Sequence, residues 1–99
     1  MKVIVDFCII PLGVELSLSR YIAECQRILE GLGLKHELHA YGTNIEGEWD
    51  TVMDAIKRCH HRVHEMGAPR ITTTLKLGTR TDRDDSIEGK VRSVQQWVG

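Results

Sequence analysis

The chain has 99 residues, 13 basic and 14 acidic side chains, a formal net charge of −1, and only 5% aromatic residues. That length predicts one domain, residues 1–99, with a modest core and surface left over for association. The lack of a basic excess argues against a general nucleic-acid binder, and so few aromatics argue against an extended base-stacking platform.

Val3 to Ile10 is apolar and rich in β-branched residues, carries one charge at Asp6 and stops at Pro11, which predicts a buried central strand. Leu18, Tyr21, Ile22, Cys25, Ile28, Leu29 and Leu32 then recur at helical spacing, with Ser17 or Ser19 as cap and Gly31 and Gly33 as stop. Leu34 to Tyr41 alternates: Leu34, His36, Leu38 and Ala40 point one way, Lys35, Glu37, His39 and Tyr41 the other. Gly42 and Asn44 suit a hairpin to a strand over about Asn44–Trp49. Val52, Ile56, Cys59, Val63 and Met66 mark a second helix, Asp50 to Met66, closed by Gly67 and Pro69. Arg70 to Thr81 alternates again, and Ile87, Val91, Val94 and Val98 form the stripe of a last helix capped by Asp84, Asp85 or Ser86.

The order β-α-β-β-α-β plus a helix predicts an α+β, ferredoxin-like sandwich: a four-stranded antiparallel sheet, order 4-1-3-2, with both long helices on one face. The other face should carry Ile4, Asp6, Cys8, Ile10, His39, Thr72 and Thr74. That mixture is too apolar to leave wet and too polar for a dry core, so a second subunit is expected to cover it.

Such a fold decides little about function. No CxxC, no GxxxxGK[ST] loop and no outward aromatics on the central strands are present. Three separated cysteines, with no signal-peptide pattern and no apolar run near the roughly 20 residues of a membrane helix, are read as a cytoplasmic protein with reduced thiols. In "CHHRVH", His60 and His64 share a helix face, but nothing fixes further ligands and Cys59 belongs to the core stripe, so no metal is expected. Cys8 with His36 or His39 as base is conceivable chemistry, yet a mid-strand thiol is usually inert. Asp6, in an apolar strand, either pairs with a cation of a neighbouring subunit or meets a ligand.

Five blocks carry a resemblance. "IIPLG" ends the first strand, "SLSRYIAEC" opens the first helix, "YGTNIEGEWD" makes the hairpin, and "RITTTLKLGTRTD" and "KVRSV" fall on the last strand and helix. Together they resemble the small thiamine-binding proteins over essentially the whole chain. The resemblance implies subunits that pack their sheets into dimers and then tetramers. It also implies non-catalytic binding of thiamine or its hydroxymethylpyrimidine half at a subunit interface, with no other cofactor. A serine is more usual where Cys8 stands, and a small apolar residue where Asn44 stands. The rival reading is a structural or regulatory oligomer that binds another small metabolite.

An aminopyrimidine wants acceptors, a hydroxyl and an apolar wall, and a thiazolium suits an aromatic face. Thr43, Asn44, Glu46 and Trp49 supply these types within one hairpin. The ligand-contact candidates are therefore Asp6, Ile10, Pro11, Thr43, Asn44, Glu46, Trp49, Arg70 and Arg80. Packing alone would also explain Trp49, and Glu46 could instead pair with Arg70 or Arg80.

Overall fold

The computed structural model describes residues 1–99. The elements are β1 (Lys2–Leu12), α1 (Ser19–Gly31), β2 (Lys35–His39), β3 (Gly42–Glu48), α2 (Trp49–Glu65), β4 (Arg70–Gly78) and α3 (Ile87–Val98). The sheet order is β2-β3-β1-β4 and every pairing is antiparallel. This is the expected ferredoxin-like α+β arrangement.

Odd-numbered β1 residues face the helices. Val3, Val5, Phe7 and Ile9 are buried there with Ile45, Tyr21, Cys25 and Leu29 of α1, and Val52, Ile56, Cys59 and Val63 of α2. Full burial of a side chain such as Phe7 or Leu29 contributes roughly 1.5–3 kcal/mol. Between the helices, the Cys59 thiol points at the Cys25 carbonyl at 4.0 Å. Contact with Cys25 and burial push the Cys59 thiol up, so it stays protonated.

Several boundaries differ from the sequence reading: the hairpin turns at Ala40–Tyr41, so Gly42 and Asn44 already lie in β3, and β1 runs on past Pro11 to Leu12. Trp49 opens α2 instead of closing β3, because its amide donates to the Met1 carbonyl at 2.8 Å while Glu48 is still extended. β4 ends at Gly78, before the loop that begins with Thr79. α1 begins after Leu18 with no side-chain cap; Ser17 Oγ accepts only the Ser19 amide, at 3.5 Å. Ser86 does cap α3, its Oγ accepting the Gly89 amide at 2.9 Å.

The sheet's other face carries the expected residues. Cys8 pairs with Thr74, Ile10 with Thr72, Asp6 with both Asn44 and Lys76, and Ile4 with both Glu46 and Gly78, so these side chains share one surface. Periodicity did not reveal that α3 rests its first turn on that surface. Ile87 is buried beside Ile4, and Glu46 anchors it from below. The rest of the α3 stripe, Val91, Val94, Trp97 and Val98, is exposed.

Candidate ligand site

β1 overshoots β3. Its pairing with β4 runs on to Leu12 opposite Arg70, whereas its pairing with β3 ends at Phe7 opposite Thr43. From Cys8 to Pro11 the strand edge on the hairpin side meets no strand. The start of α1 and the hairpin tip at Ala40–Tyr41 frame the gap and form a groove of about 660 Å³. Phe7, Ile9, Leu18, Ile22 and Leu38 supply apolar walls, and Gln26 and Thr43 supply polar groups. That size lies within the range of small-molecule pockets, which are mostly apolar with a few placed polar groups.

Two hydrogen-bonded pairs border the notch. On the helix side, Thr43 is only 3% exposed and its Oγ1 accepts from Gln26 Nε2 at 3.0 Å. On the open side, Asp6 Oδ1 lies 2.8 Å from His39 Nε2. The Tyr41 amide donates to His39 Nδ1 at 3.3 Å, so the neutral ring carries its proton on Nε2 and gives it to Asp6. Gly42 makes room for this pair: a Cβ there would stand 2.7 Å from the Phe7 carbonyl oxygen and 3.2 Å from Asp6 Oδ1.

The same geometry bears on the thiol chemistry. With both His39 nitrogens engaged, neither is left to take a proton from Cys8. His36 lies on the opposite face, its Nδ1 2.7 Å from the Leu34 carbonyl oxygen. On α2, His60 Nε2 lies 2.6 Å from Thr73 Oγ1 and His64 Nδ1 2.8 Å from the Ala68 carbonyl oxygen. No group of three or more His, Cys, Asp or Glu side chains converges as a metal would require.

The nine candidate residues do not form one wall. Ile10 and Thr43 line the notch, Pro11 is buried just beyond it, and Asp6 stands at the rim through His39. Thr43 and Asn44 are consecutive in a strand, so they face opposite sides of the sheet; Asn44 lies beside Asp6 on the open face. Glu46 is engaged elsewhere. Its Oε1 accepts the Ile87 amide at 2.9 Å and its Oε2 meets Lys2 Nζ at 3.1 Å, so its partner is neither Arg70 nor Arg80. Trp49 packs half-buried against the core on the helix side. Arg70 is exposed at the start of β4. Arg80 forks onto Asp82 at 2.7 and 2.6 Å, and that guanidinium holds the Asp82 carboxyl down at about 2. Gln26 was missed: on the sequence alone it is one more polar residue beside the α1 stripe, and only the tertiary contact with Thr43 marks it.

Comparison with known proteins adds a family to this geometry. The UPF0045 protein sll0230 of Synechocystis is 56% identical, covering 99% of this chain and 81% of that one. The UPF0045 protein ECM15 of Eremothecium gossypii is 39% identical, covering 97% and 92%. Among solved structures, protein MJ1052 of Methanocaldococcus jannaschii superposes with a TM-score of 0.88 at 33% identity, covering 96% of this chain and 97% of that one. A Thermotoga maritima protein provisionally assigned to thiamine biosynthesis or salvage shares the fold, with a TM-score of 0.81 at 24% identity and coverage of 95% and 99%. The sequence profile described as thiamine-binding protein matches residues 5–95, and the chain belongs to that family.

Proposed function

We propose that the chain binds thiamine, or its hydroxymethylpyrimidine half, in the notch between β1 and the hairpin, and releases it unchanged. The overhang of β1 past β3 carries this reading. It leaves a free strand edge, with backbone donors and acceptors, beside an apolar groove that a flat ring can enter. Leu18, Ile22 and Leu38 offer apolar faces for the ring. Asp6, just outside, offers negative charge to a thiazolium. Membership of the thiamine-binding family supports this ligand class. Binding without turnover fits a site in which His39 has no nitrogen free to act as a base.

A second copy of the chain closes the notch in this proposal. Leu38 and Tyr41, at its mouth, are 59% and 88% exposed, and Ile10 on the open sheet face is 37% exposed. Apolar groups so placed mark an interaction surface. The assembly is a tetramer, a pair of dimers that cover the open sheet faces. Calorimetry with thiamine, thiamine phosphate and free hydroxymethylpyrimidine tests the ligand. Saturable heat with at least one of them is expected, and no binding of any at millimolar concentration would rule the function out.

A further inference from the structure

We infer that Gln26 and Thr43 together read the amino edge of the pyrimidine, which makes Gln26 a specificity-determining residue. This rests on the thiamine reading above. Thr43 is 3% exposed, yet it points from β3 into the groove floor, and its Oγ1 accepts from Gln26 Nε2 at 3.0 Å. That one bond uses an amide proton of Gln26 and a lone pair of Thr43. It leaves the Gln26 carbonyl oxygen as an acceptor and the Thr43 hydroxyl proton as a donor, side by side. A 4-aminopyrimidine presents the complement on one edge: an exocyclic amine that donates and the neighbouring ring nitrogen that accepts. In the deaminated 4-oxo form the edge is reversed, with a carbonyl that accepts and a ring N–H that donates. With the pair held as the Gln26–Thr43 bond sets it, the reversed edge brings carbonyl oxygen against carbonyl oxygen and N–H against O–H. A site built to hydrogen-bond a group discriminates strongly against an analogue that leaves its buried polar atoms unpaired.

The test compares hydroxymethylpyrimidine with its 4-oxo analogue by calorimetry on wild type, Gln26→Leu and Thr43→Val. Wild type is expected to favour the amino form at least tenfold. Each variant should weaken amino-form binding about tenfold or more and bring the amino-to-oxo ratio near one. Loss of packing alone would weaken both ligands equally and leave the ratio intact. Thr43→Ser, which keeps both the hydroxyl proton and the lone pair that accepts from Gln26, guards against a variant that fails to fold and should retain the preference for the amino form. If wild type binds thiamine and hydroxymethylpyrimidine but the ratio is unchanged in Gln26→Leu and Thr43→Val, the inference is overturned and the thiamine reading stands. If wild type binds neither, both fall.

Discussion

The Glu46 carboxylate lies 2.9 Å from the backbone amide of Ile87, 41 residues further along the chain. Ile87 opens α3, so this buried side chain accepts one of the helix's orphan N–H groups from across the sheet. Lys2, at 3.1 Å, balances its charge. The contact ties α3 to the open face at one end only.

Glu46→Ala should therefore loosen α3. A hydrogen bond to a charged group is worth roughly 1.5–3 kcal/mol, and a loss of about 2 kcal/mol in a denaturant titration is expected. Hydrogen exchange should show the α3 amides losing protection well before those of β1. Glu46→Gln should lose less and leave thiamine affinity within about threefold. A Glu46→Gln variant that binds tenfold more weakly with α3 still docked would return Glu46 to the ligand.

Gly42 is expected to be sensitive out of proportion to its size. An alanine methyl would press on the Phe7 carbonyl oxygen and crowd Asp6. Overpacking of this kind costs typically 1–3 kcal/mol, so Gly42→Ala should lower the unfolding midpoint and weaken ligand binding together. Gly31→Ala is the matched control, because a methyl there meets nothing within 4 Å. Its effect should be neutral or slightly stabilising.

His60 predicts a slope of stability with pH. Burial, then the neighbouring His64 and His61, lower its pKa below the ordinary 6.5. The unfolded chain thus takes up the proton more readily than the folded one. Stability linked to this group is present above pH 6.5 and is lost as pH falls through the lowered folded value. Denaturant midpoints at pH 7.5 and pH 5 should differ more in wild type than in His60→Gln. Equal differences in the two proteins would remove His60 from the acid response.

The proposed assembly has its own check. Light scattering at micromolar concentration should give the mass of four chains. Tyr41→Arg, which places charge at the mouth of the notch, should reduce that mass and weaken thiamine binding in parallel. A wild-type monomer that binds thiamine would show the site to be complete within one chain.

The fold was legible because the hydrophobic period marked each helix and strand, although the hairpin turns at Ala40–Tyr41 and not at Gly42 and Asn44. The alternation of β1 alone told which residues face the helices and which face out. The candidate notch was not legible, because it arises from a difference in strand length. β1 and β3 each look complete in sequence, and only their register shows that one outruns the other. The partners of Glu46 were hidden for a related reason. A glutamate in a strand signals a buried partner or a ligand, and the partner proved to be the amide of Ile87 and the amine of Lys2, which leave no mark in residue type or spacing. Thr43 and Asn44 could have been separated beforehand by the period of two.

β1 is central in the sheet and precedes both strands it pairs with, β3 and β4, along the chain. Its pairing with β4 sets Ile4 opposite Gly78, so on the ribosome this β-branched segment waits for most of the chain before its second edge is covered. Two-state folding slows as contacts become more distant in sequence. During that wait the stretch from Val3 to Ile10 has the composition of a self-associating strand, with high β-propensity and almost no charge. Asp6 is the exception, a single carboxylate at its middle. A carboxylate so placed opposes the stacking of like strands. Replacing it with an apolar residue would therefore be felt in the yield of soluble protein as well as in the folded molecule.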